Sequence, residues 1–112
     1  MDKPVEYVEK NYPATARAFK AFQREQYELF CKKQMDYGPG NIAMGTTLES
    51  DQDINLALQG ICVRMNDKVN RLVHLVLKQK KTPQNESVMD SFKDLSVYGI
   101  MAQIVNERFW GK

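Results

Sequence analysis

Three acidic residues, Glu86, Asp90 and Asp94, recur every four positions. Four helical residues advance by only about 40° around the axis, so a helix through them carries a short ladder of carboxylates. The same face turns apolar further on, at Val97, Met101 and Ile104. Carboxylates at the border of a buried surface are costly to desolvate unless a metal ion, a cation or a hydrogen-bond donor meets them. Two or three of them can hold Mg²⁺, which prefers oxygen ligands and keeps waters that a phosphate can displace. The plainer alternative is a solvated acidic start to a helix, favourably placed against the positive end of its dipole.

A complementary set of cations lies upstream. Arg64, Lys68 and Arg71 stand at i, i+4 and i+7, with Asp67 within helical reach of both arginines. That spacing builds either an intrahelical ion-pair network or a cationic strip that meets phosphates, the arginines in bidentate fashion. Tyr37 or Tyr98 could stack on a base. Tyr98 continues the acidic ladder by one further step of four, which is also where a tyrosine hydrogen bonded to Asp94 would stand.

Other chemistries find no support. His74 is the single histidine, so no Ser/His/Asp or Cys/His arrangement is credible, and no GxxxxGK[ST] loop exists. Cys31 and Cys62 lack metal or redox spacing and read as reduced intracellular thiols. A formal net charge of +2 is too small for a protein that wraps long nucleic acid or binds membranes through basic residues. No apolar run approaches the ~20 residues needed to span a bilayer, and Met1-Asp2-Lys3-Pro4 opens no signal peptide. The expected setting is the cytoplasm, with no membrane partner.

The elements that must position these groups read as all-α, three long helices in one domain over residues 1–112. Residues 1–13, polar and carrying Pro4 and Pro13, are expected to lie along the surface. A first helix over about 14–35 has an apolar stripe at Thr15, Phe19, Phe22, Leu29 and Phe30. Gln26 and Lys33 fall on that stripe, as snorkelling edge residues or as a polar hole in a core. Asp36-Tyr37-Gly38-Pro39-Gly40-Asn41 breaks the helix. The 36–53 segment is then a long loop, a kind of segment that is more often functional or disordered than merely connective, in which Ile42 to Met44 should pack down as a short turn.

A second helix over about 54–78, capped by Asp51 or Asp53, has a core stripe of Ile54, Leu58, Ile61, Cys62, Met65, Val69, Leu72 and Val76. After a polar turn with Pro83, Asn85 caps a third helix over about 86–108, whose main stripe is Val88, Phe92, Leu95, Gly99 and Ala102. Its second apolar face is more than two neighbours need, which points to a homo-oligomer. Phe109 and Trp110 point the same way, or form a hydrophobic latch onto the monomer core.

The succession Cys31-Lys32-Lys33, Asp36-Tyr37-Gly38, then Arg64, Asp67-Lys68 and Arg71-Leu72, then Glu86-Ser87-Val88-Met89-Asp90 and Asp94-Leu95-Ser96-Val97-Tyr98 resembles the nucleotide modification associated domain 1 family over roughly residues 20–108. That family is small, helical, frequent in bacteriophages and placed by gene context near nucleotide metabolism and base modification. A more distant similarity is to MazG-like all-α nucleoside triphosphate pyrophosphohydrolases, whose ExxE and ExxD pairs hold Mg²⁺. Glu25 and Glu28 form ExxE, whereas Glu86 and Asp90 are spaced by four rather than three.

The resulting expectation is a nucleotide-binding protein that holds or sequesters a phosphorylated nucleotide or nucleotide-derived signal. If phage-encoded, it would work in the host cytoplasm, in an anti-defence role. Its expected nucleotide-binding residues are Lys33, Asp36, Tyr37, Asn41, Arg64, Asp67, Lys68, Arg71 and Tyr98, its expected metal ligands Glu86, Asp90 and Asp94, with Mg²⁺ as the one cofactor considered and no catalytic residue assigned. The alternative is a Mg²⁺-dependent pyrophosphohydrolase of MazG-like type.

Overall fold

A proline at the second position of a helix forfeits nothing, because the first turn has no partner for its N–H. Pro4 uses that freedom in α1 (Lys3–Asn11), and Pro13 opens α2 (Pro13–Tyr37) directly after Tyr12. The 1–13 region is thus largely helical rather than an irregular surface segment, though α1 buries no residue. The structure, a computed structural model, describes residues 2–80 and 86–112, the side chains of Glu86 and Ser87 excepted. Among these residues it is all-helical, and no helix is long and apolar enough to cross a membrane.

The chain forms two compact units, the first ending at Lys33 and the second spanning Gln34–Lys112. The first holds α1 and most of α2. Its surface carries a shallow apolar groove lined by Val5 and Val8 of α1 and by Ala16 and Phe19 of α2, flanked by a Lys20–Glu9 ion pair of 3.2 Å. The expected stripe of α2 is amphipathic but is not a core: no α2 residue is buried, and Phe19, Phe22 and Leu29 are exposed. A nine-residue α1 is too short to cover it. Gln26 is half-buried and Lys33 exposed, so neither marks a polar hole in a core.

The second unit contains every buried residue described. Gly38 ends α2 with φ +70°, its N–H returning to the Gln34 carbonyl at 2.8 Å, the left-handed helix stop that glycine makes without strain. The following segment is not structureless. It contains α3 (Gly40–Ala43), which buries Ile42 and Ala43, followed by buried Leu48. α4 (Asp51–Leu72) begins three residues earlier than the hydrophobic pattern predicts, because Ser50 is the cap: its hydroxyl accepts from the Asp53 N–H at 3.1 Å. The helix continues as a π-helical stretch, Val73–Lys78. α5 (Glu86–Asn106) completes the unit; the predicted Pro83 turn and Asn85 cap lie outside the described residues.

α4 and α5 are antiparallel, as shown by two contacts: Lys68 in the last turns of α4 with Asp94 in the first half of α5, and Asp51 at the start of α4 with Arg108 just beyond α5. Their apolar core is Ile54, Ala57 and Ile61 on α4 and Val88, Met101 and Val105 on α5, with Ser91 fully buried among them. The predicted main stripe of α5 is therefore rotated. Phe92 is 54% exposed, while Ser91 and Val105 lie inside. A small polar residue is invisible to a hydrophobicity count, yet a small residue is what lets two helices approach. On α4, Cys62 and Val69 of the predicted stripe are likewise exposed.

Candidate functional site

The core face of α4 changes character halfway along. Ile54, Ala57 and Ile61 are buried, and one turn on the same side of the helix offers Arg64, then Asp67, Lys68 and Arg71. Residues at i, i+3, i+4 and i+7 share one face. These four side chains, with Tyr98 of α5, line an open hollow of about 290 Å³. A polar, positively charged recess thus begins where the dry part of the α4–α5 contact ends.

Lys68 is half-buried and needs a counter-charge. Its Nζ lies 2.9 Å from Asp94 Oδ2, both side chains being only about a quarter exposed (21% and 25%). At that burial the pair is worth more than a surface bridge, which contributes ~0–1 kcal/mol, and less than a fully dry one. The two arginines are not neutralised in this way. Among the described residues neither Arg64 nor Arg71 is ion paired with Asp67, so the intrahelical network that the spacing allows does not form. Arg64 instead donates from Nη2 to the Asn41 carbonyl at 3.3 Å. Three cations against two carboxylates leave the recess net positive, with guanidinium donors facing open volume.

Tyr98 stands one helical turn beyond Asp94 and makes no hydrogen bond to it, so its ring is a wall of the hollow rather than a prop for the carboxylate. An aromatic wall opposite a cationic one suits a flat, phosphorylated guest: guanidinium groups take phosphate oxygens in pairs, and a ring face accepts a base.

Of the residues predicted to bind a nucleotide, Arg64, Asp67, Lys68, Arg71 and Tyr98 meet in this hollow. Asn41 reaches its rim through its backbone carbonyl. Asp36 and Tyr37 are exposed in the last turn of α2 and do not line it; Lys33 belongs to the first unit. Of the predicted metal ligands, Asp94 is engaged by Lys68 and Asp90 is exposed, while the Glu86 side chain lies outside the described residues. No three metal-binding side chains come together among the described residues. His74 accepts or shares a hydrogen with the Gln79 amide at 2.9 Å on an exposed flank. Cys31 and Cys62 are free and exposed; a hydrogen bond to Cys31 holds the Tyr27 phenol above its ordinary pKa.

The sequence pattern did not reveal what braces the site. Trp110 is buried and its Nε1 donates to the Pro39 carbonyl at 3.1 Å, so it latches the C-terminal segment onto the core, while Phe109 is exposed. Arg108 bonds the Glu49 carbonyl and the Asp51 carboxylate. These contacts span 57 to 71 residues of chain, a separation that no local pattern encodes; the one available signal was a tryptophan beside a glycine after the last helix. Compared with known proteins, the chain matches no family model, no curated protein and no solved structure.

Proposed function

We propose that this protein binds a phosphorylated nucleotide or nucleotide-derived signal in the hollow between α4 and α5. The observation that carries the reading is the lining itself: Arg64, Lys68 and Arg71 on one helix face, with Tyr98 across from them. The phosphate lies along the α4 cations, with Arg71 supplying the paired donors and Lys68 a point charge; the base rests against Tyr98. A volume of about 290 Å³ is at the small end of ligand pockets, so it takes one mononucleotide unit rather than a polymer. The family resemblance agrees with this setting. Homo-oligomer formation is part of the proposal, supported by Phe92 and Ile100, which stay exposed on α5 and would gain cover from a second copy.

The test is isothermal titration of a nucleotide panel into purified protein, with and without Mg²⁺, with product analysis of each mixture. Saturable binding with the ligand recovered intact is expected. Absence of heat with every nucleotide sinks the reading, and Mg²⁺-dependent pyrophosphate release replaces it with the hydrolase, in which Glu86, Asp90 and Asp94 serve a metal.

A further inference from the structure

We infer that Trp110 is a positioning residue for Arg64: the segment after α5 clamps the loop around α3, and that loop aims the Arg64 guanidinium at the rim of the hollow. The inference rests on the nucleotide-binding reading of that hollow. Its first link is the Pro39 carbonyl, which accepts the indole N–H of Trp110 at 3.1 Å and the N–H groups of Ile42 and Ala43, each at 3.2 Å. The bond that anchors the indole therefore also fixes the first turn of α3. Gly111 allows this approach, since at φ +75° a Cβ there would stand 3.2 Å from Pro39 Cβ.

The far end of the same loop is held by the same segment. Arg108, itself at φ +65°, bonds the Glu49 carbonyl and the Asp51 carboxylate. Between the two anchors, Ile42 and Ala43 are buried, and a Cβ on Gly60 of α4 would meet Met44 Sδ at 3.1 Å, one turn before Arg64. The Asn41 carbonyl is thereby held where it accepts from Arg64 Nη2. One guanidinium donor is used on this bond and the remainder keep a fixed direction, so a phosphate meets an arginine whose rotamer freedom is already lost.

The experiment compares Trp110→Phe, which keeps a ring but loses the N–H, with the wild-type chain in three readouts. Amide exchange at Ile42, Ala43 and Met44 is expected to speed up roughly tenfold, and the ¹⁵N heteronuclear NOE of Arg64 Nε to fall. Affinity for inorganic pyrophosphate is expected to drop about fivefold, but not further when the same change is made in an Arg64→Lys background. Gly111→Ala should reproduce the pattern, which covers the case of a Trp110 variant that does not fold. Unchanged exchange and an unchanged Arg64 signal overturn the clamp, and so does an undiminished fivefold loss in the Arg64→Lys background. If the wild-type chain binds neither pyrophosphate nor any nucleotide, the nucleotide reading falls, while exchange and the Arg64 signal still decide the clamp.

Discussion

Lys68 and Arg71 are both cations of the hollow, but they differ in what holds them in place. Lys68 is half-buried and matched to Asp94, whereas Arg71 is exposed and unpaired among the described residues. Stability and affinity should therefore separate between them. Arg71→Ala removes charge-assisted donors from a ligand and nothing from the fold, so nucleotide affinity is expected to fall tenfold or more, at about 1.5–3 kcal/mol per such contact. Its urea midpoint should stay within the ~0.5 kcal/mol scatter of surface substitutions. Lys68→Met leaves the Asp94 carboxylate partly dry and unmatched, and should cost roughly 1–2 kcal/mol of stability. Adding Asp94→Leu should recover most of it, and failure of that recovery in a urea titration would mean that the pair does not carry the load. The cationic strip itself was legible from spacing alone, because i, i+4 and i+7 can only share a face. Its freedom from Asp67 was not, since the same spacing permits an ion pair that the folded side chains do not make.

At the scale of the element, α5 is where period and burial part company. The helical spacing of non-polar residues selects Val88, Phe92, Leu95, Gly99 and Ala102, while the helix buries Val88, Ser91, Met101 and Val105. The partner decides this rotation. Ser91 is fully buried, and a side chain that small lets α5 approach its neighbour closely at that turn, while the bulky Phe92 beside it stays outside. Two truncations distinguish the registers. Val105→Ala opens a cavity at a fully buried site and should cost about 2 kcal/mol. Phe92→Ala removes a larger side chain but an exposed one, and should cost less than about 1 kcal/mol. Urea denaturation of both variants checks this; the reverse order would restore the stripe that hydrophobicity alone selects. The helix ends were legible wherever a local residue sets them, as with Gly38 after α2. At the start of α4 they were not, because Ser50, Asp51 and Asp53 are all good capping residues and local spacing does not choose among them.

The whole molecule divides its tasks unevenly. Each described core residue, from Ile42 to Trp110, falls in the second unit, and so do the hollow and the segment that braces its rim. The first unit contributes α1 and most of α2, with no buried residue. Helices gain most of their stability from a packed face, and an unsupported helix of this length is only marginal in water. A chain starting at Gln34 should therefore keep a single cooperative thermal transition, shifted by no more than about 8 °C, the change that ~1 kcal/mol produces in a domain of this size. It should also keep the Arg71-dependent affinity, because the walls of the hollow are all retained. A peptide of residues 1–33 should show a broad, non-cooperative helix–coil melt by circular dichroism. A gradual melt of the shortened chain would mean instead that the second unit depends on residues before Gln34 for its cooperativity.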